Sequence, residues 1–168
     1  MSKMYHGSNF LITEKLSPKI SFDYKPLVYA TDDYFYALVR AGSFYSDKFL
    51  LKEDYNGKDT FFRLIELVPD AFKECFNTSG YIYEVNTSSF IQNATLEYVS
   101  EKPVEIISCT KIDNVWSEIL KHKDHYELIF HADSEPYWKT VRGGKEGYLE
   151  RRRKRLEKLK NIRNSSTK

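Results

Sequence analysis

Tyr5-His6-Gly7-Ser8, then Leu27-Val28-Tyr29-Ala30-Thr31 and the run over residues 34–42, decide how this chain is read. The first is a short strand ending in His-Gly. It sets an imidazole beside a residue without a side chain, so a flat ligand can come close enough to the Gly7 backbone to hydrogen-bond it. The second is a strand that offers the Tyr29 ring for such a ligand to stack on. Thr31 and the acidic pair Asp32-Asp33 read as the N-cap and first turn of a helix carrying Tyr36, Ala37, Val39 and Arg40. Taken together the three stretches point to a nucleotide site.

In order and spacing, His6-Gly7-Ser8 followed by Val28-Tyr29-Ala30-Thr31 and a Tyr36-Ala37-Leu38 helix resembles the first two motifs of the ADP-ribosyltransferase superfamily. The branch it resembles is the one that pairs His, Tyr and Glu and includes the poly-ADP-ribose polymerases. The third motif of that family is an acid on a late strand. Residues 96–104 read as a strand leaving for a turn at Pro103, and they hold both Glu97 and Glu101. Glu97 is preferred, because the family's acid opens a strand of the form Glu-aromatic-x-apolar, which Glu97-Tyr98-Val99-Ser100 approximates. Glu101 stands as the alternative.

The resemblance covers residues 4–112 and implies NAD as substrate, with no metal. His6 would hold a ribose hydroxyl, the Gly7 backbone would pair with the carboxamide, and Tyr29 would stack on the nicotinamide ring. Tyr36 would supply the opposite stacking face, and Ser8 would cap the strand end or contact the ligand. Glu97 would hydrogen-bond the ribose and stabilise the positive charge that develops as the nicotinamide bond breaks. The catalytic set implied is therefore His6, Tyr29 and Glu97. Residues 43–77 match no loop of the family, so the acceptor stays open among protein, nucleic acid and small molecule. Members that bind NAD without transferring anything make a catalytically silent binder the competing reading. A related branch removes a 2′-phosphate from RNA, but its arginine-rich motifs are not evident inside this domain.

The 168 residues, 41% apolar and 15% aromatic, are enough for one domain with a real core and a small appendage. No apolar run approaches the ~20 residues of a membrane span, and the first residues lack the apolar stretch of a secretory signal, so a cytoplasmic location is expected. Cys75 and Cys109 have no metal-type spacing and read as buried free thiols. His122-x-x-His125 lacks a third ligand and sits in a charged, solvated stretch. Glu84 and Glu105 read as surface charges.

The net charge of +2 conceals an asymmetry. Residues 139–168 hold twelve Lys or Arg against three Glu, for +9, and leave residues 1–138 at −7. The division is thus an acidic body over 1–138 and a basic helix or tail over 139–168. Within the tail, residues 146–163 are good helix formers with Glu early and cations late, which suits the helix macrodipole. Leu149, Leu156, Leu159 and Ile162 form a loose apolar stripe. Three roles stand open for it: a solvated or docked terminal helix, an arm that binds nucleic-acid phosphates through Arg151 to Arg155, and a segment that docks on the acidic body.

Strand patterns cover residues 4–6, 27–30, 81–85, 97–100, 104–112 and 128–131. Helix patterns cover 32–45, 60–68, 113–122 and the tail; within 60–68, Phe61, Leu64, Ile65 and Val68 recur at i, i+3, i+4 and i+7. The distribution predicts an α+β domain with a mixed or antiparallel sheet rather than βαβ alternation. The family resemblance adds a split sheet with flanking helices and the nucleotide in the cleft.

Overall fold

The computed structural model describes residues 3–21, 24–43, 48–55, 57 and 60–165. Their elements begin with β1 (Met4–Ser8), β2 (Lys15–Leu16), β3 (Lys19–Ile20), β4 (Pro26–Ala30) and α1 (Tyr34–Arg40). Then come β5 (Phe49–Tyr55), β6 (Thr60–Glu66), α2 (Ala71–Phe76), β7 (Gly80–Val85), β8 (Ile91–Ala94), β9 (Glu97–Ser100) and β10 (Val104–Ile112). The order closes with α3 (Val115–Lys121), β11 (Tyr126–Ile129), α4 (Glu135–Trp138) and α5 (Gly144–Ser165). The fold is α+β, as the strand and helix patterns predict.

The strands form three sheets, ordered β1-β7-β10-β2, β3-β4-β9-β8 and β11-β6-β5. The first two are antiparallel throughout. In the third, β5 runs antiparallel and β11 parallel to β6. A backbone bridge joins the first two sheets, Tyr5 N–H donating to the Thr31 carbonyl at 2.7 Å and Thr31 N–H to the Tyr5 carbonyl at 2.9 Å.

Between those two sheets lie Met4, Leu16, Val28, Ala30, Tyr83, Val85 and Val104, all buried. Tyr83 also fixes the chain after β1: its hydroxyl accepts from Ile12 N–H at 2.7 Å and donates to the Phe10 carbonyl at 3.1 Å. Burial pushes that phenol up to about 12. A larger core beneath α1, α2 and α3 gathers Leu38, Phe62, Phe72, Phe76, Ile82 and Ile119. Each such side chain contributes roughly 1.5–3 kcal/mol by leaving water.

Helix α1 lies close against β1 and β7 because two residues there have no side chain. A Cβ on Gly7 would stand 2.0 Å from the Ala37 carbonyl oxygen, and one on Gly80 would stand 2.4 Å from that of Ala41. The bare face of Gly7 therefore receives a helix, whereas the sequence reading reserved it for a ligand.

Several expectations are corrected. Residues 60–68 are not helical: β6 is the central strand of its sheet, and its C-terminal half, Leu64 to Glu66, is buried on both faces. Phe62 and Leu64 join the main core while Ile65 and Leu67 join a separate cluster with Trp138. A doubly buried strand has no alternation to display, and its apolar run imitates a helical period. The N-cap of α1 is Asp33, whose carboxylate accepts from Tyr36 N–H at 2.9 Å, and Thr31 instead accepts from Asp33 N–H at 3.1 Å. Residues 44 and 45 of the expected helix lie outside the described residues.

The last body strand runs 126–129 rather than 128–131, because buried Glu66 accepts from the N–H of both Phe72 (2.9 Å) and His131 (3.0 Å) and turns the chain there. Cys75 is buried, but Cys109 is exposed, beyond a bulge between Ile106 and Ser108 in β10. His122 and His125 are half-buried rather than solvated, with the His125 ring stacked on Phe35 at 3.6 Å. Glu84 and Glu105 pair with Lys3 and Lys15 at the surface.

Candidate functional site

The junction of the first two sheets, floored by α1, holds a cavity of about 60 Å³. Its walls include His6 and Gly7 from β1, Tyr29 from β4, Tyr36 and Arg40 from α1, and Glu97 from β9. Two larger cavities adjoin it and share Tyr29 and Arg40 as walls. One, about 600 Å³, runs past His6, Gly7, Ser8 and Phe10. The other, about 510 Å³, runs past Glu97 toward α5. The two larger spaces also share Ser21, so the three form a connected groove around Tyr29 and Arg40, and the larger two have sizes usual for ligand sites.

His6 is held by its own neighbour strand. Its Nδ1 lies 2.7 Å from the Tyr29 carbonyl oxygen, which can only accept, so Nδ1 carries the proton and the neutral ring presents a lone pair at Nε2. Burial pushes the imidazole below its ordinary value, and the Arg40 and Lys19 charges act the same way, against the Tyr29 carbonyl. The site keeps a neutral, accepting histidine.

The backbone of Gly7 points to the same place. On an antiparallel strand successive residues direct N–H and C=O to opposite edges. Tyr5 uses the outer edge of β1 to bridge Thr31. Gly7, two residues on, therefore turns its N–H and C=O to that same edge, which the small cavity borders.

Glu97 opens β9, where Tyr98 pairs with Ala30 of β4 and donates from its hydroxyl to Asp32 at 3.1 Å. The two oxygens of Glu97 accept from Asn93 Nδ2 at 2.8 Å and Arg40 Nη2 at 3.3 Å. The same Arg40 nitrogen donates to the Tyr36 hydroxyl at 2.5 Å, and its guanidinium lies 4.8 Å from the centre of the Tyr36 ring. Both Arg40 and Glu97 are 21% exposed, enough shielding for the pair to hold its geometry.

The structure brings His6, Gly7, Tyr29, Tyr36 and Glu97 together on one cavity. Ser8 lies on the adjoining one and accepts from Phe10 N–H at 3.1 Å, a turn contact. Glu101 is exposed in the connection to β10 and lines none of the three cavities. Sequence reasoning missed Arg40 and Asn93 as site residues. The sequence offers only the four-residue spacing of Tyr36 and Arg40 on one helix, which does not point to Glu97, and for Asn93 nothing, since only the folded β8–β9 hairpin brings it back on Glu97. Among the described residues no group of His, Cys, Asp and Glu is arranged to hold a metal ion. None of their helices is long and apolar enough to cross a membrane.

Comparison with protein-family models, with curated proteins and with solved structures finds no match to this chain.

Proposed function

We propose that the chain is an ADP-ribosyltransferase-like protein that cleaves the bond between nicotinamide and ribose in NAD and transfers the ADP-ribose to an acceptor. The observation that carries this reading is the convergence of His6, Tyr29, Tyr36 and Glu97, from β1, β4, α1 and β9, on one cavity at a split between two sheets. The chemistry of each group fits its part. Nε2 of a neutral His6 accepts from a ribose hydroxyl, and the outward N–H and C=O of Gly7 match the acceptor and donor of a carboxamide. The Tyr29 ring supplies a wall for a flat nicotinamide, and Tyr36, whose ring carries the Arg40 guanidinium, would take the opposite face only if Arg40 moved aside. The Glu97 carboxylate would stabilise the positive charge that develops on the ribose as nicotinamide leaves. The 600 Å³ cavity past His6 and Ser8 has room for the rest of the dinucleotide.

The test is nicotinamide release from labelled NAD by the intact chain and by Glu97→Gln. Release should fall on the order of 10²–10³-fold in the variant, the scale of losing one electrostatic stabiliser. The Arg40–Glu97 ion pair favours a second reading, a protein that binds NAD with its carboxylate already engaged. In that case neither chain releases nicotinamide, yet NAD raises the melting temperature of both, since a ligand of the native state alone must stabilise it.

A further inference from the structure

The C-terminal helix gives the groove a basic wall. Five consecutive cations occupy residues 151–155, and the helical period splits them. Arg153 and Lys154 pair with Glu150 of their own helix at 2.6 and 3.3 Å, with side chains 67% and 71% exposed. Arg151, Arg152 and Arg155 turn the other way and line the 510 Å³ cavity, together with Tyr29, Arg40 and Glu97. Arg151 and Arg155, at i and i+4, lie one above the other with Arg152 flanking them, while Arg153 and Lys154 fall on the opposite side, so this division follows from the helical period.

The helix is seated, not loose. Tyr148 and Leu149 pack on Ile65, Leu67 and Trp138, and Leu159 is only 4% exposed. Lys158 Nζ lies 4.5 Å from the centre of the Tyr24 ring. The Arg152 guanidinium donates to the Tyr148 hydroxyl at 2.9 Å, and Gly147 leaves room for Arg151, whose Nη1 would be 3.3 Å from a Cβ there.

Guanidinium groups pair with phosphate oxygens two at a time, which a lysine cannot imitate. The same cavity has part-exposed aromatic walls in Tyr29 and Tyr148. Arginines that track a backbone beside rings that stack bases are the chemistry of single-strand binding. The cavity's position adds the direction. It shares Glu97 with the small cavity, whereas the cavity past His6, Gly7 and Ser8 shares His6 and Gly7 with it and is not lined by Glu97.

We propose that this Glu97-lined cavity is the acceptor channel and that it takes a single nucleic-acid strand, with phosphates on Arg151 and Arg155 and a base against Tyr148. The acceptor role rests on the transfer reading above. In the step itself the bond from ribose C1′ to the nicotinamide nitrogen breaks and nicotinamide departs neutral with the electron pair. A nitrogen or oxygen of the strand bonds C1′, and its proton passes to Glu97 and then to water.

The experiment uses the full chain and fluorescein-labelled single strands of about 12 nucleotides, DNA and RNA of one sequence as two arms, within the usual range for such sites. Anisotropy is read across a salt series without NAD, for the intact chain, for Arg151→Gln/Arg155→Gln, and for Arg153→Gln/Lys154→Gln. The last removes equal charge from the opposite face and serves as the control. Tight binding to either arm is expected to weaken tenfold or more in the first variant. Its log-affinity against log-salt slope should become shallower by about 1.4, for two phosphates on a single strand. The control should bind within twofold of the intact chain. Equal losses in both variants, or equal competition by polyglutamate of matched charge, would overturn the proposal.

Labelled NAD is then added. Label on the strand supports the acceptor role, and nicotinamide release with a bound but unlabelled strand overturns it alone. Binding that depends on Arg151 and Arg155 without any nicotinamide release sinks the transfer reading and leaves the strand site standing.

Discussion

The imidazole of His6 answers to its surroundings in a way that stability measurements can read. Folding holds it neutral, since burial and the nearby Arg40 and Lys19 charges push it below its ordinary value of 6.5. The native state thus refuses a proton that the unfolded chain accepts. Stability from this group is fully present above pH about 6.5 and is withdrawn as the pH falls from there toward the lower native value. Urea titrations of the intact chain and of His6→Gln from pH 8 to pH 5 should show the difference between the two shrinking across that window. A constant difference would mean that His6 does not titrate abnormally. At this scale the site is partly legible in the sequence: His6, Tyr29, Tyr36 and Glu97 stand in recognisable local settings. Arg40 and Asn93 are not legible, because what matters about them is a hydrogen bond to Glu97. For Arg40 that bond crosses 57 positions of chain.

Among the elements, α1 and β1 are fitted to each other more tightly than any sequence pattern reveals. Gly7→Ala would drive a Cβ to 2.0 Å from the Ala37 carbonyl, a backbone atom that cannot swing aside. Overpacking typically costs ~1–3 kcal/mol, and a clash with backbone belongs at the top of that range or beyond. The denaturation midpoint of Gly7→Ala should drop accordingly, and Gly57→Ala, in open space, is no guide because an alanine at its backbone φ of 89° would be strained. The bounds of β9 and β10 are legible in the sequence, since β-branched and aromatic runs there end at Thr95-Leu96 and at the Lys102-Pro103 turn. β6 is illegible for a physical reason: two cores claim its two faces, so period 2 vanishes. β2 and β3, two residues each, are too short to declare themselves, β8 is mostly polar Ile-Gln-Asn-Ala without a strand pattern, and all three exist because a neighbouring strand offers an edge.

For the molecule as a whole, charge is the organising asymmetry, an acidic body with a basic terminal helix laid against it. Composition announces both parts but leaves their relation open, because long-range docking depends on shape. Leu159 distinguishes a seated helix from a frayed one. Leu159→Ala should lower stability by ~2–5 kcal/mol in urea unfolding, the cost of emptying a buried leucine site, whereas a tail in solvent would give almost nothing.

The Tyr5–Thr31 bridge bears on all of this. It is a two-bond seam between the sheet that carries His6 and the sheet that carries Tyr29 and Glu97. A dinucleotide touching His6 on one side and Glu97 on the other would act as a rivet through that seam, so occupancy and the coherence of the two halves would rise and fall as one equilibrium.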